Sequence, residues 1–571
     1  MRAPLLGLAL ATVTVVAIGA LPRPQTAEIA GQVTDARSHA PLPGTVVALN
    51  GRGAPPPARV ITDADGRFAF HDLSPGVFAV VVTRNGYFGN GDGRDPFAPG
   101  RLVELSNDHA VTDLVLSLWK LGAISGTVVA EGDPLVGIEV NALRRSLVAS
   151  RWRFVNVATT STDDRGAYRL SGLLPGEYMV VARPDRDPET PLLLSLLAAT
   201  PAASVDVLAA ATAKGRGVPE RDARVRTYPT TFFRNVPASS VATRIAIDAE
   251  ADRTGIDLQL KPLRGVRVTG TVSGLDGPAE EMDVHLVRAD SSLESDPLDV
   301  AVAALESDGR FELTGVPPGK YVVTLLARPW WARTPVTVGG TDVPGLKVPA
   351  HKGSNVGGRL EFAGRAAPTA AEIAQVVVQL TVESSPAPNA SAWRAQVSPD
   401  GTFTTTGLPP GRYFLRVASV PRGWTLESAL VGSRDALDAS FEIQTSDVGD
   451  VVVRFVDRPL GGANGVVQDA SGAPVSNATV LLFPAAREPG FDTGPQARRF
   501  RSVRSLGNGT FSAGGLPPGA YLAVALATPP APDWQEPARL DALAPSAARV
   551  DVAAGPSPPI TLSIVKGAAK K

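Results

Sequence analysis

Histidine is the side chain best suited to ligate a metal or carry a proton near neutral pH. The chain has five, His39, His71, His109, His285 and His351. They are scattered, no pair falls at ligand spacing, and neither an HExxH motif nor a 2-His-1-carboxylate set can be assembled from them. The phosphate-cradling P-loop and the G-x-S-x-G nucleophile turn are also missing. Isolated surface or turn histidines are therefore expected, and no catalytic residue, metal site or cofactor is predicted. Asp63, Asp65, Asp164, Asp308 and Asp400 could offer oxygen ligands to calcium, but each stands in a turn and no partners for an oxygen cage are evident. Asn90-Gly91-Asp92-Gly93-Arg94-Asp95 comes closer to a calcium loop and is read as a plain loop. Arg498, Arg499, Arg501 and Arg504 could meet phosphate or an acidic glycan, yet their alternation predicts a solvated strand face.

Aromatic residues recur at one topological place. They are Tyr87 and Phe88; Tyr228, Phe232 and Phe233; Trp330 and Trp331; Trp424; and Trp534. Two roles fit them. They can cap a sandwich or pack a joint, or they can stand exposed as platforms that stack sugars or anchor a protein partner. As candidate ligand contacts they point to a glycan or another cell-envelope protein.

What positions them is a repeated element. Thr62-Asp63-Ala64-Asp65-Gly66-Arg67-Phe68-Ala69-Phe70 is followed by Leu73-Ser74-Pro75-Gly76-Val77-Phe78, and the pattern returns at Asp163 to Tyr178, Glu306 to Tyr321, Ser398 to Tyr413 and Leu506 to Tyr521. The two glycines stay ten residues apart in every copy: Gly66 and Gly76, Gly166 and Gly176, Gly309 and Gly319, Gly401 and Gly411, Gly509 and Gly519. Asp-Gly or Asn-Gly suits the positive φ of a tight hairpin turn, and Pro-Gly suits a type II turn. Between and after the turns, apolar residues alternate, with Phe68 and Phe70 on one face and Phe78, Val80 and Val82 on the next, as half-buried strands require. Upstream of each copy lies an apolar strand with a central glycine, as in Ile29-Ala30-Gly31-Gln32-Val33. Each unit closes on another alternating strand, such as Asp113 to Leu118 or Ile560 to Val565.

This pattern resembles the carboxypeptidase regulatory-like module across essentially all of the chain after residue 27. The resemblance implies a transthyretin-like, seven-stranded β-sandwich similar to carbohydrate-binding-like folds and to B-type repeats of collagen-binding adhesins. It implies no activity, because the zinc-binding catalytic part that accompanies such sandwiches in metallocarboxypeptidases has no counterpart here. The expected fold is all-β, a tandem array of five transthyretin-like or Ig-like sandwiches spanning residues 28–118, 119–262, 263–351, 352–458 and 459–571. The second carries an insertion at about 184–242, expected to hold a short helix at Leu192 to Ala199 and a loop containing Tyr228 to Phe233. Small residues at Ala523 and Ala525 suggest a thinner core in the fifth. Short joints, such as Trp119 to Ala123, predict an elongated, stiff rod.

Composition agrees with such an array. At 571 residues the chain exceeds one core, and 56 Gly with 51 Pro suit turn-dense β structure. A formal net charge of −1 gives no global attraction to nucleic acid or anionic lipid. The absence of cysteine excludes disulfides, thiolate zinc sites, cysteine nucleophiles and a lipid-anchoring cysteine. Met1 to Pro4 precede the apolar run Leu5 to Leu21, with Gly19, Ala20 and Ala27 as small residues near a cleavage point. Residues 1–27 read as an export signal, with an uncleaved anchor as the alternative, and no later segment is apolar enough to span a bilayer. The expected protein is a non-enzymatic periplasmic, cell-surface or secreted scaffold. Alternatives are a carbohydrate-binding protein and an accessory of a peptidase system.

Overall fold

The computed structural model describes residues 27–51, 59–91, 101–105, 111–148, 150–183, 226–277, 279, 281–289, 299–364, 367–383, 393–487, 490–493, 497–528, 530, 533–555 and 557–565. The expected export signal, the helix expected over 192–199, Asp92 to Asp95 and His109 lie outside these residues. Strands dominate the described residues, and the helices among them are short, Ala370–Ile373 and Pro537–Leu543 with single 3₁₀ turns elsewhere. The chain is an all-β array of sandwiches.

The third sandwich shows the plan. One sheet has the order Arg310–Val316, Val266–Ser273, Val343–Pro349, and the facing sheet has Asp299–Ala304, Asp283–Arg288, Gly319–Ala327, Trp330–Val338, His351–Lys352. Alternation puts Val268, Phe311, Leu313, Tyr321, Val323, Leu325 and Val348 into a single core between them. Separate cores of the same kind gather residues from Ile29 to Leu118, from Ile124 to Leu260, from Val356 to Phe455 and from Ala463 to Leu562. In every sandwich the opening strand runs antiparallel to the strand after the first glycine and parallel to the closing strand.

That parallel pairing explains the central glycine of the opening strand. A Cβ on Gly31, Gly126, Gly270, Gly358 or Gly465 would stand 2.0, 2.2, 2.4, 2.1 or 1.9 Å from the carbonyl oxygen of Leu114, Ile256, Leu346, Val451 or Ile560. The closing strand crosses so tightly there that only glycine fits.

The paired turns are corners, which corrects the hairpin reading. Arg67–Leu73 belongs to one sheet, while Arg59–Ile61 before it and Gly76–Thr83 after it belong to the other. Both flanking strands must turn a face toward the same core from opposite sides, so the chain crosses between sheets at each turn. The first glycine does hold a left-handed conformation, with φ of +71, +71, +80, +85 and +79° at Gly66, Gly166, Gly309, Gly401 and Gly509. Its carbonyl accepts the amide of the opening strand, for example Val272 N to Gly309 O at 2.8 Å. The second glycine is the first residue of its strand, and it is not the left-handed centre of a type II turn.

A third recurrent position escaped the sequence reading. Gly172, Gly315, Gly407 and Gly515 take φ of +77, +68, +75 and +72°, and Asp72 takes +58° in their place in the first sandwich. The ladder slips beside this residue, as between Ser171 and Leu173, so it is a β-bulge at the end of the core strand.

Two further expectations change. Thr231–Phe232, expected in a loop of the insertion, adds to the edge of the Gly176–Arg183 strand. In the fifth sandwich Ala523 and Ala525 do lie inside the core, as expected, and a second cluster, with Leu481, Phe483, Phe500, Val524, Leu526 and Leu540, covers the outer face of the same sheet. Its central strands are thus packed on both sides. Nor is the chain an open rod: Ser150 at the tip of the second sandwich's hairpin donates its amide to Thr493 Oγ1 of the fifth at 3.0 Å.

Candidate functional site

Asp63, Asp163 and Asp400 are engaged locally. Asp63 Oδ1 accepts from the amides of Asp65 and Arg67 at 3.0 and 2.7 Å, Asp163 Oδ1 from Arg165 and Ala167 at 2.9 and 2.8 Å, and Asp400 Oδ1 from Thr402 at 3.0 Å. These are Asx turns held through one carboxylate oxygen. Among the described residues no group of three or more His, Cys, Asp and Glu is placed to hold a metal ion.

All nine predicted ring residues are buried or half-buried. Tyr87 packs on the first core with the Arg84 guanidinium 5.5 Å from its ring, and Phe88 stands opposite Trp119 in the ladder. Burial, then the charge of Asp35, pushes the Tyr87 hydroxyl above its ordinary range. Tyr228 and Phe233 lie against the second core, and Phe232 fills a cluster with Leu143, Phe154, Met179 and Val181. Trp330 belongs to the third core with Lys352 Nζ 5.0 Å from its ring, while Trp331 rests 5.3 Å from His351. Trp424 meets Phe362 edge-on at 5.0 Å, and Trp534 meets Phe500 at 6.0 Å. The structure brings these rings together with sandwich ends and joints, and not with one another.

A second recurrent aromatic is a lock that the sequence reading treated only as core. Tyr178, Tyr321, Tyr413 and Tyr521 donate their hydroxyls to the carbonyls four residues back, Leu174, Pro317, Pro409 and Pro517, at 2.5, 2.8, 2.8 and 2.7 Å. In the third sandwich the ring folds back over the second glycine of the pair, where a Cβ on Gly319 would stand 2.9 Å from the Tyr321 ring. Gly176 and Gly519 instead hold φ of +157 and +148°, so there the backbone itself favours glycine. In the first sandwich the tyrosine position is Phe78. Burial pushes the Tyr178 and Tyr521 hydroxyls up to about 12.

The densest charge on the molecule is a joint. Between Thr479–Pro484 and Arg501–Arg504 the fifth sandwich makes an excursion that docks on the fourth. Ser440 N donates to Gly490 O at 3.0 Å and Asp492 N to Asp438 O at 2.8 Å. Arg498 reaches Asp435 at 3.0 Å and Asp438 at 3.0 Å, Arg499 reaches Asp438 at 2.6 Å, and Arg416 reaches Asp492 at 2.5 Å. Asp438 is 3% exposed, so this cluster is a dry clamp. Burial, together with the neighbouring Asp438 charge, raises Asp435 above the usual carboxylate range against the pull of Arg498. For Arg499 burial, the largest single influence, acts downward, but Asp438, Tyr521 and Asp435 together outweigh it and hold the guanidinium up. The expected solvated face of Arg498 and Arg499 is therefore buried against the preceding sandwich. Sequence alternation could not reveal this, because the partners, Asp435 and Asp438, lie about sixty residues away.

Residues 28–89 match the carboxypeptidase regulatory-like domain, so the first sandwich is similar to that family. No curated protein matches the chain. Among solved structures it is similar to the Bacillus anthracis TIE protein at 13% identity and a TM-score of 0.17, with 57% of this chain and 51% of that one covered. The chain thus spans about half the length of that protein. It is also similar to shaft pilin spaA from Lactobacillus rhamnosus GG, at 11% identity and a TM-score of 0.21 over 42% of this chain and 98% of that one. For two B repeat units of the collagen binding protein of Staphylococcus aureus the values are 11% and 0.13, over 76% and 99%.

Proposed function

We propose that this chain is an exported, non-catalytic scaffold of the cell envelope or surface, which spaces and presents binding faces to another envelope protein. The observation that carries this reading is the use made of the side chains best able to do chemistry. The turn acids close Asx turns, the tyrosines lock strands, and the arginine cluster clamps one sandwich to the next. Those roles build a rigid multi-sandwich frame and leave recognition to exposed sheet faces and edges. Export is supported by the apolar run Leu5 to Leu21.

A protein partner is favoured over a glycan because stacking needs a freely exposed ring face, and each of the nine candidate rings is buried or half-buried. Cross-linking in intact cells followed by mass spectrometry tests this: discrete envelope proteins joined to the chain support it. Binding on a glycan array that is lost on replacing Trp331 or Trp424 would establish the carbohydrate reading instead. Hydrolysis of a peptide or glycoside abolished by one substitution would overturn both.

A further inference from the structure

The second and fifth sandwiches meet through the hairpin of strands Glu139–Val148 and Arg151–Ser161, whose tip reaches across to the fifth sandwich's excursion. Ser150 donates its amide to Thr493 Oγ1 at 3.0 Å and its hydroxyl to the Phe491 carbonyl at 3.1 Å. Trp152 donates its indole N–H to Glu536 Oε1 at 2.9 Å, and the Arg145 guanidinium lies 4.1 Å from the other side of the same ring system. A further observation marks this tip. Ser150 holds φ of +63°, a conformation in which glycine would be less strained, yet the residue there carries the hydroxyl that makes the contact. Tip geometry alone calls for glycine, and the contact calls for serine.

The two faces of the excursion differ in kind. Toward the fourth sandwich it is held by buried arginine–carboxylate pairs and by backbone hydrogen bonds. Toward the second it is held by two neutral hydrogen bonds, and beside it Trp152 binds Glu536 at the start of the Pro537–Leu543 helix, with Ser150 and Trp152 only half-buried. Separating the first face breaks four arginine–carboxylate pairs and two backbone hydrogen bonds, whereas separating the second breaks three hydrogen bonds made by half-buried residues. The second joint is therefore the weaker and opens first.

We propose that the hairpin tip around Ser150 and Trp152 is a reversible latch, which closes the second sandwich onto the fifth and opens while the fourth and fifth stay clamped together. Opening frees the first two sandwiches from the last two and releases the Trp152 indole N–H and the Phe491 carbonyl. The latch is a property of the chain itself and does not depend on which partner the scaffold binds.

The absence of native cysteine makes the test clean, since an S150C/T493C pair would hold the only thiols of the full chain. In a glutathione redox buffer this pair should form an intramolecular disulfide with at least a hundredfold higher effective concentration than an S150C/I61C control. Failure to exceed the control overturns the contact. The second variant is S150G/W152F/T493V, in which glycine suits the tip backbone, phenylalanine keeps a ring and valine removes the acceptor of the tip amide, so all three latch bonds are lost and the hairpin is left sound. Small-angle scattering should then show a larger radius of gyration than the parent chain, with hydrogen exchange unchanged in Glu139–Val148 and in the 490–493 clamp. Unchanged dimensions overturn the latch. So does a rise in exchange throughout the hairpin, which would make the tip a support of its own sandwich.

Discussion

The tight crossing of opening and closing strands can be tested with two alanines in one sandwich. Gly358 lies on Ser354–Ala363 and Gly449 on its parallel neighbour Val448–Val456. A Cβ on Gly358 would stand 2.1 Å from the Val451 carbonyl oxygen, whereas a Cβ on Gly449 meets nothing within 4 Å. Carbon and oxygen that are not bonded do not approach below 3.0 Å, so Gly358→Ala must part the strands by about 0.9 Å. That displacement takes the ladder bonds beside Val451 out of range, and losing two or three at about 0.5–1.5 kcal/mol each gives a cost of about 1–4.5 kcal/mol. Both substitutions reduce the freedom of the unfolded chain to a similar degree, so this term, about 0.4–1 kcal/mol, cancels in the comparison. Urea unfolding, followed by hydrogen exchange in peptides of the fourth sandwich, reads the difference directly. With a slope of about 2 kcal/mol per molar, the midpoint of Gly358→Ala should lie about 0.5–2 M below that of Gly449→Ala, which itself should lie at or slightly above the parent's. Equal midpoints for the two variants would refute the reasoning.

Tyr321→Phe removes a hydroxyl that is fully buried and leaves the Pro317 carbonyl without its donor; a loss of about 1–3 kcal/mol in the third sandwich is expected by calorimetry, and an unchanged transition would show that the lock is idle. Asp438→Asn withdraws the charge shared by Arg498 and Arg499, and removing one partner of a buried pair costs about 3–5 kcal/mol. The fourth and fifth sandwiches should then unfold in separate transitions, while a single retained transition would contradict the clamp. Alkaline titration should also be informative. Tyr178 and Tyr521 titrate at about 12 when folded, above the ordinary phenol value near 10, so their contribution is complete below pH 10 and is lost as pH rises toward 12. Tyrosinate absorbance should therefore lag in the native protein, and Tyr521→Phe should remove the fifth sandwich's share; ionisation near 10 before any unfolding would contradict it.

Much of the frame was legible in residue order because strands that bury one face must alternate. Phe311 and Leu313, then Tyr321, Val323 and Leu325, fall into one core just as their spacing requires. The positive φ of Gly309 was legible for a related reason, since Asp-Gly turns have few other solutions. What spacing could not supply was which sheet each strand joins. A corner and a hairpin use the same residues locally, so Pro-Gly was read as a type II turn although it carries the chain between sheets. The bulge at Gly172, Gly315, Gly407 and Gly515 was hidden because Asp72 replaces glycine in the first copy. Long-range partners were also out of reach. Nothing near Arg498 announces Asp435, and nothing near Trp152 announces Glu536. The ring residues illustrate the same limit: a loop position was inferred for Phe232, but its 2% exposure follows from an edge strand that only the folded chain defines.

The scaffold reading depends on where the chain resides, and fractionation of cells expressing it with its own N-terminus tests that most directly. Recovery outside the cytoplasmic membrane, together with loss of that localisation when charged residues interrupt Leu5 to Leu21, is the result predicted. Recovery of the intact chain in the cytosol would contradict the account.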